Sequence, residues 1–253
     1  MSTKLRHTVS EFLEIVRSVV FWSVCALIIF VSFYIIKIMV IFFHIEEIFA
    51  VHRARRIWAK LSLRFSGVKI RVEGLSHLKS HKSYLLASNH QGYLDGLLLS
   101  SIIPQYFRFL LWNKIFKIPI FGPLVRRSGC IPISDNNYKE ALESILKVTE
   151  LTKSGELFVI FPEGRLTRDG KLGAFGRGCA VIALNSKIPV IPIAIKGSFE
   201  VLSRGQWILR PGMIKLKIGE PIIFDNYKII DKIAYTEATE KIRKSIERLM
   251  SQM

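Results

Sequence analysis

Tyr84-Leu85-Leu86-Ala87-Ser88-Asn89-His90-Gln91-Gly92-Tyr93-Leu94-Asp95-Gly96-Leu97-Leu98-Leu99 joins three elements in one stretch. The apolar run from Tyr84 to Ser88 reads as a buried strand. Gly96 to Ile103 reads as a short helix that Pro104 stops. Between them stand an imidazole, His90, and a carboxylate five residues on, Asp95. In one regular helix, residues five apart point about 140° away from each other, too far to pair easily. The two can meet only if the chain turns between them, and Gly92 offers the freedom for a turn. A carboxylate that accepts the imidazole N–H fixes its tautomer and makes the other nitrogen a stronger base. Taken alone the pattern is common by chance, and its Asp is often just a helix cap.

A second element gives the first its weight. Glu156 to Ile160 reads as a central strand, entered from the turn Ser154-Gly155 and ended by Pro162. It runs into Phe161-Pro162-Glu163-Gly164-Arg165-Leu166-Thr167-Arg168-Asp169-Gly170. Arg165 and Arg168 thus fall at the end of a strand, where ligands gather in α/β folds. Their forked donors suit phosphate oxygens. The plainer alternative for such a Gly/Arg/Asp-rich loop is a solvated surface turn.

In this order and spacing the two elements resemble the glycerolipid acyltransferase family, and within it the bacterial 1-acylglycerol-3-phosphate acyltransferases. The family's Asn-His-x4-Asp block is matched by Asn89, His90 and Asp95, and its Phe-Pro-Glu-Gly block by Phe161 to Gly164. Its apolar strand around a proline is matched by Val190 to Ile195. Phe116 to Gly122 and Gly129 to Ile133 also look alike, so the resemblance covers about residues 60 to 225. It implies transfer of a fatty acyl group from an acyl thioester, on coenzyme A or acyl carrier protein, to the free hydroxyl of a lysophospholipid. The expected acceptor is 1-acylglycerol-3-phosphate, which would give phosphatidic acid. His90 would be the general base and Asp95 its orienting partner, with no metal, cofactor or enzyme nucleophile needed. Backbone N–H groups at the start of the following helix, with Lys114, are candidates to hold the oxyanion. Asn89, Arg126, Arg127, Glu163, Gly164, Arg165 and Arg168 are the candidates for the acceptor side of the site; Glu163 alternatively braces the loop or pairs with a neighbouring arginine, and Asn89 alternatively holds the turn through a side-chain to backbone bond.

Three departures from the family pattern bear on the acceptor head group. Asp135 stands where the family usually has an arginine, and Arg165-Leu166-Thr167 stands in place of Thr-Arg-Ser. Trp112 occupies the place of a family lysine, with Lys114 two residues on. Acylation of lysophosphatidylethanolamine or a lyso-amino-acid lipid is therefore a second reading. A thioesterase, and a non-catalytic lipid-binding protein, are readings from other classes.

Composition fits a lipid enzyme. The chain has 253 residues, half of them apolar, and a net charge of +17. A balance this basic points to nucleic acid, an anionic membrane surface or phosphorylated substrates. No nucleic-acid motif is present, and the apolar N-terminus favours the membrane. Cys25, Cys130 and Cys179 are far apart in apolar surroundings and read as reduced core or membrane residues. His44, His52, His77 and His81 lack metal-ligand spacing and read as structural.

From Val19 to Phe43 the chain is apolar except for Ser23, Ser32 and Lys37, long enough to cross a bilayer. It is too long for a signal-peptide core, so we read it as retained. Lys4, Arg6 and Arg17 precede it, and Arg53, Arg55, Arg56 and Lys60 follow. Both flanks are suited to the cytoplasm. A helical hairpin dipping into one leaflet, its second arm from Glu46 to Phe65, satisfies both; a single span with Lys37 at an interface is the competing arrangement. The expected location is a bacterial inner membrane with the catalytic domain facing the cytoplasm.

The remainder alternates strands and helices. Strands are predicted at Val68–Val72, Phe107–Trp112 and Ile214–Ile218, the last as an outer strand with a solvated lysine face. Helices are predicted from Tyr138 to Thr149, from Phe175 to Lys187 with Arg177 near its start, and around Ala238, Ile242, Ile246 and Leu249. The fold class is α/β: a single mixed-sheet layered domain over residues 67–253 behind a membrane-embedded helical segment over residues 1–66. If Arg165 reads the acceptor phosphate, R165A raises the acceptor KM and leaves kcat nearly intact. A normal KM with a reduced kcat would contradict that role.

Overall fold

The computed structural model describes residues 3–44, 46–79, 83–227 and 229–253, so His81 lies outside it. Two helices open the chain, α1 (Thr3–Phe43) and α2 (Glu47–Ser66). Then follow β1 (Lys69–Glu73), β2 (Leu85–Ser88), α3 (Asp95–Ile102), β3 (Arg108–Trp112), α4 (Phe121–Arg127), β4 (Ile131–Ile133), α5 (Tyr138–Lys153) and β5 (Phe158–Ile160). The chain closes with α6 (Gly178–Ser186), β6 (Val190–Lys196), α7 (Ser198–Leu202), β7 (Met213–Ile218) and α8 (Lys232–Ser251).

The strands form one sheet in the order β1-β7-β6-β2-β5-β3-β4. Every neighbouring pair is parallel except β6 with β7, so the sheet is mixed as expected. Its centre is β2, flanked by β6 and β5 and buried on both faces, which is why it reads as an unbroken apolar run. Side chains alternate across it. Leu86, Val159 and Ile193 pack with α3 and with Leu63 of α2; Leu85, Phe158 and Val190 pack with α6 and α8. Asn137 caps α5 by accepting the Lys139 and Glu140 N–H groups, and Asp231 caps α8 likewise.

The N-terminal helices form a hairpin. Along α1 the buried residues Ser18, Phe21, Cys25 and Ile36 recur at helical spacing and face the rest of the protein. Ser18 Oγ accepts the Leu209 N–H at 2.7 Å, and Trp22 donates to the Trp207 carbonyl at 2.7 Å. The outer face exposes Phe12, Leu27, Phe30, Ile41 and Phe42. Thr8–Phe42 is long and apolar enough to cross a membrane, and its most apolar 18 residues have a mean hydropathy of 2.7. The second arm, α2, is amphipathic: it buries Ala50, Val51, Ala59 and Leu63 and turns Arg53 and Lys60 outward. Phe21, Cys25 and Leu63 belong to the same buried cluster as Leu94, Leu98 and Phe107.

The structure corrects several expectations. Strand β7 is not outer: it lies between β1 and β6, and Lys217 reaches Glu73 of β1 at 3.7 Å. Alternation reveals a half-polar face but not which strand covers an edge. Helix α6 starts at Gly178 instead of Phe175 because the preceding backbone donors go elsewhere. Gly173 N–H bonds Glu163 and Gly176 N–H bonds the Pro162 carbonyl at 2.8 Å. Gly92 has no positive φ. It is needed for close approach, since a Cβ there would lie 2.4 Å from the Ser198 carbonyl oxygen and 2.9 Å from that of Leu202. All three cysteines are buried and unpaired.

Gly92 and Gly96 make a matched pair for a stability test, because a Cβ at Gly96 meets nothing within 4 Å. Gly92→Ala is expected to lower unfolding free energy by about 1–3 kcal/mol in urea titration, whereas Gly96→Ala leaves it within about 0.5 kcal/mol or raises it. Equal effects would contradict the close-approach role.

Candidate active site

Two adjacent parallel strands deliver the site. Ala87 of β2 sits beside Ile160 of β5, so the two chains leave the sheet in step. His90 and Phe161 therefore emerge side by side, their rings stacked 3.9 Å apart at 14°. Asn89 fixes the other flank. It is buried, and its amide makes a two-way bond to Ile195 of β6: Nδ2 donates to the carbonyl at 2.8 Å, and Oδ1 accepts the N–H at 2.7 Å. The Asn89 side chain thus faces the backbone, not a substrate.

The turn then brings the pair together. His90 Nδ1 lies 2.8 Å from Asp95 Oδ2. The same carboxylate oxygen accepts the backbone N–H of Gln91 at 2.6 Å and of Gly92 at 2.9 Å. Asp95 is wholly buried at the first turn of α3, while the imidazole retains 22% of its surface. A buried carboxylate is costly unless hydrogen-bonded, and these donors supply that compensation at Oδ2, while Oδ1 is buried without a hydrogen-bond partner among the described residues. With Nδ1 committed to the carboxylate, Nε2 is the nitrogen left to act on a hydroxyl.

Glu163 braces the site from β5's side. Its Oε1 accepts the His90 N–H at 2.9 Å and its Oε2 accepts the Gly173 N–H at 2.8 Å. Burial pushes its carboxyl above the usual range, while those two N–H bonds, His90's first, pull it back down. No arginine pairs with it among the described residues. Gly164, at φ +68°, turns the loop there. The loop closes on the pair as well: Thr167 N–H bonds the His90 carbonyl at 3.0 Å and Gln91 Nε2 bonds the Gly170 carbonyl at 2.8 Å. The Lys171 N–H, then the Thr167 hydroxyl, hold the Asp169 carboxyl below its ordinary range.

The basic candidates divide. Arg165 and Arg168 lie on this loop, exposed and without an ion pair among the described residues. Lys114 stands 4.5 Å over the ring of Trp112, the residue at the place of the family lysine. Arg126 lines a cleft of about 520 Å³ along β4 with Arg108, Lys117 and Lys147, three strands along the sheet from β2. Arg127 pairs with Glu47 of α2 at 3.2 Å. Neither is drawn to His90. Sequence reasoning gave no role to Phe161, Thr167, Gly173 or Ile195. Phe161 stood in a quoted block, but stacking requires knowing that β2 and β5 are neighbours.

Known proteins resemble this chain in sequence and in fold. The family model described as Acyltransferase matches residues 69–196, slightly more than half of the chain. The chain belongs to that acyltransferase family. A chloroplastic 1-acyl-sn-glycerol-3-phosphate acyltransferase of Arabidopsis thaliana is 30% identical over 198 residues, 78% of this chain and 54% of the relative. The chain spans about half the length of the plant relatives it matches. A 1-acyl-sn-glycerol-3-phosphate acyltransferase of Bacillus subtilis is 29% identical over 76% of this chain and 94% of its own. The crystal structure of the 1-acyl-sn-glycerophosphate acyltransferase of Thermotoga maritima shares the fold, with a TM-score of 0.79 over 95% of this chain and 98% of that one, at 20% identity.

Because Glu163 accepts two N–H groups, Glu163→Gln turns one acceptor into a donor facing a donor. Its expected effect is a kcat lowered about tenfold or more, with the acceptor KM changed less. A raised KM at full kcat would instead mark Glu163 as an acceptor-binding group.

Proposed function

We propose that the protein transfers a fatty acyl group from an acyl thioester to the free hydroxyl of 1-acylglycerol-3-phosphate, forming phosphatidic acid. The observation that carries this reading is the 2.8 Å bond from His90 Nδ1 to the buried Asp95 carboxylate, which leaves the other imidazole nitrogen to act as base. The names of the bacterial relatives support the acceptor. The acceptor hydroxyl approaches Nε2, gives up its proton and attacks the thioester carbonyl. A tetrahedral oxyanion forms and collapses with loss of the thiolate, which the imidazolium proton neutralises. A positioned general base contributes about 10²–10⁴-fold; alignment of the substrates and oxyanion stabilisation supply the rest. Backbone N–H groups at the start of α3 and the Lys114 ammonium are suited to the oxyanion. Arg165 first, then Arg168, are suited to the phosphate.

The donor is acyl-CoA or acyl carrier protein thioester, and no further cofactor enters the chemistry. The hairpin lies in one leaflet, with the catalytic domain on the cytoplasmic side of a bacterial inner membrane. The contacts of Ser18, Phe21 and Cys25 support this over a free span, because that part of the helix rests on the α/β domain. Its outer apolar face is the one left for lipid.

Incubation of detergent-solubilised protein with radiolabelled acyl-CoA or acyl carrier protein thioester and a panel of lysophospholipids tests the reading. Label is expected to enter phosphatidic acid with the native protein and to fall at least about a hundredfold with His90→Ala. Preferred labelling of phosphatidylethanolamine or an amino-acid lipid would move the acceptor to the second reading. Release of free acid regardless of acceptor would replace the transferase with a thioesterase.

A further inference from the structure

Between β3 and α4 the chain makes a turn that is costly in two separate ways. Ile120 has φ +63° and ψ −50°. This is a tight γ-turn, closed by the Phe121 N–H on the Pro119 carbonyl at 2.6 Å. A β-branched residue at positive φ is strained, and such strain persists only where its surroundings impose it. The turn also pushes its apolar side chains outward: Ile118 is 48% and Ile120 45% exposed.

Neighbouring contacts hold this tip rigidly. Gly122 N–H bonds the Ile118 carbonyl at 2.7 Å, and a Cβ at Gly122 would lie 2.3 Å from the Phe116 carbonyl oxygen. On one side Phe116 is buried in the core; on the other Phe121 packs edge-on against Trp58 of α2 at 6.2 Å. The two isoleucines therefore point out because the loop is built to present them.

What surrounds the tip identifies its partner. Helix α4, which follows directly, seats Leu124 against Ile36, Val40, Ala50 and Val51. Arg127 lies 5.7 Å over Phe33 of α1. Helix α4 thus links the tip to the C-terminal half of α1, whose Ile38, Ile41 and Phe42 are exposed. Beside the tip stand Trp112, 41% exposed, and the exposed cations Lys114 and Lys117. Apolar tips ringed by tryptophan and lysine suit the boundary between acyl chains and anionic head groups.

We propose that Ile118-Pro119-Ile120 is a lipid-contacting foot that enters the same leaflet as the outer face of α1. The hairpin and the foot then grip the bilayer at two separated places, which fixes the tilt of the sheet. That tilt presents the ends of β2 and β5, and with them His90, to an acceptor held in the membrane. The proposal rests on the membrane reading of α1 given above.

The test uses full-length protein in phosphatidylethanolamine–phosphatidylglycerol vesicles, with a thiol-reactive fluorophore at Ile120→Cys and, as an aqueous control, at Tyr138→Cys. Quenching at residue 120 by nitroxide-labelled acyl chains, with protection from iodide, is expected. Iodide quenching equal to that at residue 138 overturns the foot, and so does shielding from both quenchers, which would mean a protein partner or a second copy. If unlabelled protein fails to float with vesicles at all, the membrane reading itself fails; flotation with a wet tip removes the foot alone. A second arm compares I118S/I120S with native protein. The KM for a long-chain acceptor in vesicles is expected to rise about tenfold, with a monomeric short-chain acceptor unaffected. Equal KM values in vesicles overturn the proposal.

Discussion

One carboxylate oxygen organises the site. Asp95 Oδ2 receives the imidazole N–H of His90 and the backbone N–H groups of Gln91 and Gly92. Its side chain is wholly buried, and those donors replace at Oδ2 the water it has lost. The same bonds that stabilise the charge therefore set the shape of the turn and the angle of the imidazole. In the proposed mechanism the same buried carboxylate faces the imidazole as it takes the hydroxyl proton.

The rest of the fold supplies what that turn requires. It needs a straight, rigid lead-in, and β2 at the sheet centre provides one. It needs a wall on each side, and β6 answers through the Asn89–Ile195 bonds while β5 answers through the Phe161 stack and the Glu163 carboxylate. It also needs α7 close beneath it, which leaves no room for a side chain at residue 92. Each constraint acts on backbone or ring orientation, so the His90 imidazole is placed by its neighbours in the fold.

Much of this was legible in the sequence, and the exceptions have a common cause. The strand, turn and helix at residues 84–103, the helix over α5 and the buried stripe of α8 follow from periodicity and punctuation, which are local. The His-Asp pair was legible because a turn at Gly92 lets the two residues meet and because the Phe161–Gly164 block downstream belongs to the same family pattern. What depended on which strands are neighbours was not. The inner place of β7, the particular partners of Asn89 and Glu163 and the pairing of Arg127 with Glu47 all join residues far apart in the chain. The start of α6 was misread for the same reason. Its apolar pattern is helical from Phe175, but the backbone donors there are claimed by the loop after β5.

The central claim is that Asp95 makes His90 a base by bonding its Nδ1. The most direct measurement is the kcat of Asp95→Asn at saturating donor and acceptor, beside its KM values and melting temperature. The substitution keeps the volume of the side chain but removes its charge. We predict a kcat lowered by about 10²-fold or more with the KM values little changed. A folded variant that keeps kcat within about threefold of the native enzyme would contradict the account, because the buried carboxylate would then be serving only to cap the turn.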